Sequence, residues 1–312
     1  MLLERPERLT MYDLIRKKLA KSETIILDGG TGTDIQRRGA PMSGATWCAD
    51  ANLTHGEIVE AVHLDYIARG TDIVTANTYA TSPLLFNHIG REDDVVRIDS
   101  VAVAIARKAV AGTKVCVAGS MSTMRPMQLG TDRNNLAHEW PEAKARDLFK
   151  TKAEGLKSAG VDLIMMEMMR DTEYAVWASE AALATGLPVW IGIAVEKRED
   201  GALTGFGRND RLLADIAPAL AALDPAVISI MHSSPHDTGP AIEVLKKSWH
   251  GPIGTYPESG YFKSPDWVFT ELSPAELVQI TLSWKQQGAT IFGGCCGIGP
   301  DHIQALKMEF AS

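Results

Sequence analysis

The chain has 312 residues, of which 45% are hydrophobic and 22% are charged, and its formal net charge at pH 7 is −8. This composition is that of an ordinary globular protein with a large core, and it excludes intrinsic disorder and collagen-like repeats. The acidic balance also argues against nucleic acid as a partner, since nucleic-acid-binding proteins usually concentrate Lys and Arg on one surface.

The sequence gives no sign of a membrane or secreted protein. The N-terminal segment MLLERPERLTMYDLIRKKLA lacks the apolar core of a signal peptide, and no later run is long enough to span a bilayer. The four cysteines, two of them adjacent, do not form a disulfide framework and are expected to remain thiols. We therefore expect a cytoplasmic protein that forms one domain over residues 1–312, with homo-oligomerisation left open.

Short apolar runs alternate with longer amphipathic or alanine-rich stretches along the whole chain. The runs predict eight strands, at residues 25–27, 73–76, 115–118, 163–166, 189–194, 227–231, 252–255 and 290–292. The stretches between them predict helices at residues 54–69, 93–111, 143–159, 171–184, 210–221, 239–247 and 274–287.

This regular alternation predicts the α/β class and, within it, a (β/α)8 TIM barrel. A doubly wound parallel sheet is the alternative. The sequence DGGTGT at residues 28–33 lacks the GxGxxG spacing of a dinucleotide-binding loop, however, and no clear acidic ribose partner follows it. In a barrel, the functional side chains are expected at the C-terminal ends of the strands.

Two adjacent cysteines follow the eighth predicted strand in a glycine-rich turn, Gly-Gly-Cys295-Cys296-Gly. One interpretation is that they are two small buried residues, as free cysteines often are. The glycines on both sides of the cysteine pair contribute little to core packing, however, and they allow the backbone to direct both sulfurs inward. We therefore interpret Cys295 and Cys296 as ligands of a metal ion, with zinc as the expected metal.

A catalytic zinc usually takes three protein ligands, so a third is required. His232 follows the sixth predicted strand and offers an imidazole at a comparable position. A single histidine is more often a hydrogen-bonded structural residue, and this alternative stays open. Cys116 lies within the third predicted strand and Cys48 lies beyond the first, where a small buried residue is the simpler interpretation.

Four features in this order resemble the homocysteine S-methyltransferase family: the DGGTGT segment at residues 28–33, TANTY at residues 75–79, Glu167 after the fourth strand, and GGCCG at residues 293–297. The resemblance covers nearly the whole chain. It implies a zinc ion held by the paired cysteines and one further cysteine, which binds the thiolate of the acceptor while a methyl donor stands in line with it.

The resemblance also implies roles for individual residues. Asp28 and the backbone around Gly29 would bind the amino-acid head of the acceptor, and Glu167 would bind its ammonium group, so Asp28 and Glu167 are the expected catalytic residues. The segment Asn77, Thr78 and Tyr79 would line the substrate site. The alternatives are a turn or cap role for Asp28, and for Glu167 an ion pair with a neighbouring base such as Arg170.

Two residues depart from the family pattern. His232 stands where the family usually has cysteine, and Glu258 stands where it often has asparagine. Two thiolates and a neutral imidazole leave zinc with a formal charge near zero, whereas three thiolates give about −1. The acceptor sulfur would then be less reactive unless Glu258 supplies negative charge near the metal. We place Glu258 among the substrate-binding residues, and the competing hypothesis is that Glu258 is itself a metal ligand. The metal's identity therefore stays open.

We expect a small thiol acceptor, such as homocysteine, and a small sulfonium or quaternary ammonium methyl donor, since no cobalamin- or folate-binding segment accompanies the barrel. Trp47, Tyr79, Tyr256 and Tyr261 follow predicted strands and could contact such a cation through their ring faces. Two other functions stay open: a metal-dependent barrel that cleaves or hydrolyses a thiol, thioether or onium substrate, and a non-catalytic thiol- or metal-binding barrel.

Overall fold

The computed structural model describes residues 10–270 and 272–310. Residues 1–9 belong to the N-terminal segment that lacks the apolar core of a signal peptide, and they lie outside the described residues. Most strands of the barrel form from short apolar runs that contain β-branched residues, which favour an extended backbone. In chain order they are β1 (Ile25–Ile26), β2 (Ile73–Ala76), β3 (Cys116–Ser122), β4 (Leu163–Met169), β5 (Val189–Lys197), β6 (Leu203–Gly205), β7 (Arg208–Leu212), β8 (Val227–Met231), β9 (Ile253–Tyr256), β10 (Tyr261–Lys263), β11 (Asp266–Val268) and β12 (Ala289–Phe292).

Eight of these strands form a closed parallel barrel. They lie in the order β1, β2, β3, β4, β5, β8, β9 and β12. Strand β12 pairs with β1 through Ile291 and Ile25, and a parallel bridge between Leu27 and Ile73 joins β1 to β2. All eight predicted strands are confirmed, and so is the (β/α)8 class. A doubly wound sheet is excluded, because in such a sheet the edge strands do not meet.

Alternate residues of each barrel strand face opposite sides of the sheet. On β4, Leu163 and Met165 pack inside the barrel, whereas Ile164 and Met166 pack between the sheet and the helices. This alternation separates a cluster inside the barrel from a larger outer core.

Each of the seven predicted helical segments contains a helix. The predicted helix 239–247 begins earlier, at Pro235, and the predicted helix 210–221 begins only at Leu213, because Arg208–Leu212 pair in a strand instead. The helices are α1 (Met11–Ala20), α2 (Thr31–Arg37), α3 (Ala51–Thr54), α4 (Gly56–Ala68), α5 (Pro83–His88), α6 (Asp94–Ala109), α7 (Glu142–Ala159), α8 (Tyr174–Leu183), α9 (Leu213–Ala221), α10 (Pro235–Leu245), α11 (Pro274–Gln286) and α12 (Pro300–Phe310).

The two ends of the barrel differ. At the C-terminal ends of the strands lie the loop at residues 123–141, the β6–β7 extension of β5 and the β10–β11 hairpin. At the other end α1 packs against the barrel, where Trp190 Nε1 donates a hydrogen bond to Tyr12 Oη at 3.0 Å. Among the described residues, no helix combines the length and apolarity that crossing a bilayer requires.

Candidate active site and metal centre

A pocket opens at the C-terminal end of the barrel, the usual place for a TIM-barrel active site. It contains about 990 Å³ of empty space including its mouth. Its walls come from the strand ends and the loops that follow them. The lining residues include Asp28, Trp47, Asn77, Tyr79, Asp132, Glu167, Met168, His232, Tyr256, Phe262, Trp267, Cys295 and Cys296.

Glycines allow the turn after β12 to pack tightly into this pocket. A Cβ on Gly30 would lie 2.6 Å from the carbonyl oxygen of Cys295. Gly297 has a φ of +83°, and a Cβ there would overlap the carbonyl oxygen of Ser259. Since only glycine fits both positions without strain, the glycine-rich motifs allow the loops after β1, β9 and β12 to pack together around the two sulfurs.

His232 follows β8 and turns back toward the pocket. Met231, the last residue of β8, faces the barrel interior, so regular alternation would direct His232 outward. His232 instead has a φ of +43°, in the left-handed region, and its side chain lies among the pocket residues. Its Nδ1 is 3.4 Å from the Sγ of Cys295.

His232, Cys295 and Cys296 form a compact group whose ligand atoms all lie within 4.8 Å of one another. Two carboxylates lie on the other side of the imidazole: Nε2 is 3.0 Å from Glu258 Oε2 and 3.4 Å from Asp132 Oδ2. Asp132, His232 and Glu258 form a second group with ligand atoms within 4.8 Å. Glu258 thus contacts the histidine and does not join the group that contains the two cysteines.

The charges in this group favour an ionised sulfur beside a positively charged ring. The neighbouring thiol of Cys296, as a hydrogen-bond donor, lowers the pKa of Cys295, and His232 adds to this effect. The hydrogen bond to Cys295, together with burial, raises the pKa of Cys296. Burial opposes the charged form of His232, but Glu258, Cys295 and Asp132 together raise the pKa of His232 well above its usual value.

Asp28 lies at the pocket floor, held by the next strand. Its two carboxylate oxygens accept hydrogen bonds from the backbone N–H of Thr75 at 2.6 Å and from the Thr75 hydroxyl at 3.0 Å. Burial raises the pKa of Asp28 to about 7, partly offset by these hydrogen bonds. A turn or cap role does not describe this residue, since its partner is on β2 and its side chain lines the pocket.

Glu167 lies within β4, two residues before its end, and also lines the pocket. Its carboxylate accepts a hydrogen bond from the hydroxyl of Ser120 on β3. Burial raises the pKa of Glu167 to about 8, and the charge of Cys295 adds to the shift. The expected alternative, an ion pair with Arg170, does not form: among the described residues, no hydrogen-bond partner contacts any of the three guanidinium nitrogens of Arg170.

The three predicted residues after β2 have different environments. Tyr79 lines the pocket. Asn77 also lines it, but its amide group bonds to Asn52 and Cys48. Thr78 is fully buried, donates a hydrogen bond to the carbonyl of Ser120 at 2.8 Å, and is not a lining residue. Asn77 and Thr78 therefore support the wall of the pocket through their hydrogen bonds to neighbouring residues.

Aromatic side chains form much of the remaining wall. Trp47, Tyr79 and Tyr256 line the pocket as expected for their loops, whereas Tyr261 is 55% exposed and does not. Sequence reasoning missed Trp267 and Phe262, which the β10–β11 hairpin brings over the pocket. It also missed Asp132, whose only signal was its place in the long, turn-rich loop after the third strand.

Cys48 and Cys116 lie outside the group formed by His232, Cys295 and Cys296. Both are buried, and burial raises the pKa of each thiol to about 12. Cys48 Sγ donates to Asn77 Oδ1 at 3.1 Å, and Cys116 begins β3 at the opposite end of the barrel from the pocket.

The sequence model of the homocysteine S-methyltransferase family matches residues 25–310. Homocysteine S-methyltransferase of Escherichia coli (strain K12) is 26% identical over 313 residues, which is 95% of this chain and 98% of that protein. Betaine–homocysteine S-methyltransferase 1 of Bos taurus is 25% identical over 320 residues, covering 95% of this chain and 74% of that protein.

The barrel also matches a solved structure, the metallated form of the homocysteine methyltransferase MmuM from Escherichia coli. The TM-score is 0.75 at 22% identity, with 96% of this chain and 99% of that chain covered. At this level of sequence identity, the structural match is evidence for the fold alone.

Proposed function

The chain belongs to the homocysteine S-methyltransferase family, and we propose that it transfers a methyl group to a thiol such as that of homocysteine at a metal site of His232, Cys295 and Cys296. The observation that carries this proposal is the convergence of two sulfurs and one imidazole at the floor of a pocket that also contains Glu167. The family makes the chain an S-methyltransferase enzyme.

The donor atoms fit a zinc ion. Two sulfurs and one nitrogen are the three protein ligands typical of a catalytic zinc, with a fourth position left for substrate, and soft thiolates select against magnesium or calcium. Zinc bound here would supply a Lewis acid that holds the acceptor sulfur as its thiolate.

Glu167 and Asp28 bind the amino-acid head of the acceptor in this proposal. Glu167 is partly buried and faces the pocket, and among the described residues it has a hydroxyl as hydrogen-bond partner and no ion pair. An ammonium group would provide that cation and would favour the ionised form of the carboxylate. Asp28 follows β1 and, with the backbone at Gly29, completes this end of the pocket.

The aromatic wall suits a small onium donor. Trp47, Tyr79, Tyr256 and Trp267 surround the pocket with ring surfaces, which attract a sulfonium or quaternary ammonium ion and exclude water. Two relatives bear the names of such donors: the Bos taurus protein that of betaine, and a Pongo abelii protein that of S-methylmethionine. We propose a donor of this class, and a role in methionine formation in the cytoplasm.

Metal analysis followed by product analysis tests this function. We expect purified wild-type protein to contain about one zinc ion per chain, and His232→Ala to contain much less. Mass spectrometry of homocysteine and related thiols with a panel of onium donors should show methylated acceptor and demethylated donor in equal amounts. Products without an acceptor would replace this proposal with the lytic function, and binding without turnover would replace it with the non-catalytic one.

A further inference from the structure

His232 lies between two kinds of partner, and its two ring nitrogens face different ones. Nδ1 faces Cys295 Sγ at 3.4 Å, whereas Nε2 is hydrogen-bonded to Asp132 Oδ2 at 3.4 Å and lies 3.0 Å from Glu258 Oε2, which has no hydrogen-bond partner among the described residues. A neutral imidazole has one N–H donor and one lone pair. A metal ion would replace the proton on Nδ1 of the charged ring. Because ionised carboxylates only accept, the remaining proton then belongs on Nε2, and the lone pair of Nδ1 is directed toward Cys295 Sγ.

We propose that Asp132 and Glu258 are positioning residues for His232. Asp132 accepts its Nε2–H and Glu258 lies against the same nitrogen, so that Nδ1 becomes the third metal ligand and a carboxylate charge offsets the absent third thiolate. This inference rests on the proposed ligation by His232. It assigns Glu258 to the histidine instead of the substrate, and it gives Asp132 a role that the sequence did not indicate.

The packing around the ring supports a single orientation. Phe206 and Trp267 both pack near the imidazole, with ring centroids 5.2 Å and 5.8 Å from that of His232. His232 is 4% exposed, so water cannot easily substitute for the two carboxylates. A metal-bound histidine that donates its other N–H to a carboxylate is oriented by that bond and becomes a stronger ligand.

Both carboxylates are held in place by contacts of their own loops. The backbone N–H of Glu258 donates to the carbonyl of Ser233, which ties the loop after β9 to the residue that follows His232. Asp132 is followed by Arg133, which donates hydrogen bonds to both carboxylate oxygens of Glu196 at 2.8 and 2.5 Å. The loop at residues 123–141 is thereby joined to β5.

The charge count shows that one carboxylate near the ring can offset the missing thiolate. Two thiolates, a neutral imidazole and Zn²⁺ sum to about zero, whereas three thiolates and Zn²⁺ sum to about −1. Glu258 and Asp132 add two negative charges within 3.4 Å of the ring. His232 and Glu258, the two departures from the family pattern, therefore contact each other and are parts of one arrangement.

Zinc affinity, measured at fixed pH by competition with a chelating dye, tests the proposal. Asp132→Asn should weaken zinc binding about 10- to 100-fold, the usual effect of altering such a hydrogen-bond partner. Glu258→Gln removes a charge 3.0 Å from Nε2 but no hydrogen bond, so it should weaken zinc binding less. Glu199→Gln, an exposed acid on the neighbouring loop, is the matched control and should bind zinc as wild type does.

A double-mutant comparison tests whether the carboxylates affect zinc binding through His232. In a His232→Cys background, Asp132→Asn should have little effect, since no Nε2–H is left to hold. An equal loss in both backgrounds, or no loss in Asp132→Asn and in the double carboxylate variant, would overturn the proposal. Long-range ¹H–¹⁵N spectra of the zinc-bound protein should show the proton on Nε2 of His232, and a proton on Nδ1 would also overturn it.

X-ray absorption of the zinc-bound wild type separates this inference from the function on which it rests. If the zinc has sulfur ligands and one nitrogen ligand, but the carboxylate variants bind zinc with unaltered affinity, the result would support the metal site and contradict only the positioning role. A site with no nitrogen ligand would remove both the His232 ligation and the inference.

Discussion

Backbone conformation at single residues shapes this pocket. Among the described residues other than glycine, five have positive φ, and three of these, Trp47, Met168 and His232, line the pocket. Such conformations cost free energy and persist where the surrounding structure enforces them, commonly at functional sites. Sequence alternation predicts which strand residues face inward, but it cannot predict where a positive φ interrupts the alternation. The sequence therefore supports the pocket orientation of His232 only as a hypothesis, and the backbone conformation establishes it.

The first prediction concerns Glu167, whose carboxylate lacks a cationic partner in the described structure. If it binds the acceptor's ammonium group, Glu167→Gln should weaken acceptor binding by about 2 kcal/mol or more, the scale for truncating a buried charge pair. Isothermal titration with homocysteine measures this effect. An unchanged dissociation constant would show that the acceptor is not held by Glu167.

The second prediction is a pH dependence of ligand binding. Burial raises the pKa of Glu167 to about 8, so its carboxylate is largely neutral at pH 6 and ionises as the pH rises toward 8. Binding of an ammonium group should therefore strengthen over this range. Methionine is the suitable probe because its sulfur has no proton to lose. In Glu167→Gln the part of this dependence that belongs to Glu167 should disappear, while the part from Asp28, whose pKa is about 7, remains. A wild-type affinity that falls from pH 6 to pH 8 would contradict the assignment.

The third prediction concerns Arg170, which is 1% exposed and has no hydrogen-bond partner at its guanidinium nitrogens among the described residues. Burial lowers the pKa of Arg170, and the charge of Arg125 adds to this effect. Replacing a buried, poorly paired charge by an apolar side chain is often stabilising by about 1–4 kcal/mol. Arg170→Met should therefore raise the free energy of unfolding measured by urea denaturation.

Arg125→Met is the matched control for this measurement. Arg125 is also buried, but its guanidinium lies 4.4 Å from the Tyr174 ring centre and donates to the carbonyl of His138 at 3.4 Å. The same substitution there should lower stability. If both variants are destabilised equally, Arg170 has partners that its hydrogen-bond geometry does not reveal.

At the scale of elements, the eight barrel strands were predictable because each is a short apolar run whose neighbours along the chain are amphipathic. The β6–β7 extension was not predictable. Residues Arg208–Leu212 are mostly exposed and polar, and their strand conformation depends on pairing with β6. For the same reason Trp267 and Asp132 escaped prediction: long-range contacts of loops bring them to the pocket, and a loop has no periodicity that reveals those contacts.

The turn after β12 carries the fourth prediction. Cys295→Ala and Cys296→Ala should each lose most of the bound zinc while retaining the far-ultraviolet circular dichroism of the fold, because the glycine contacts that shape the turn are unaffected. Cys116→Ala is the control, since it also removes a thiol but lies in the barrel interior away from the pocket, and it should retain zinc. Equal zinc content in all four proteins would exclude the proposed site.

At the scale of the whole molecule, the candidate site and the residues that mainly stabilise the barrel lie at opposite ends of the strands. The pocket lies at the C-terminal end of the strands, where several groups are strained or poorly paired. The opposite end is closed by α1, whose Tyr12 and Ile15 join the interior cluster with Trp190. In this fold, residues at the N-terminal end of the strands serve stability and those at the C-terminal end serve function. We therefore expect changes under α1 to affect folding without affecting the site.

The fifth prediction tests this separation with Tyr12, which is 9% exposed and accepts the hydrogen bond of Trp190 Nε1 at 3.0 Å. Tyr12→Ala should lower the free energy of unfolding by about 3 kcal/mol, because it leaves a cavity and an unpaired buried N–H. Tyr12→Phe retains the ring and should cost only about 1 kcal/mol, the loss of one hydrogen bond. Under conditions in which both variants remain folded, their zinc content should equal that of wild type. Loss of zinc from folded Tyr12→Ala would mean that packing at one end of the barrel controls the geometry of His232, Cys295 and Cys296 at the other.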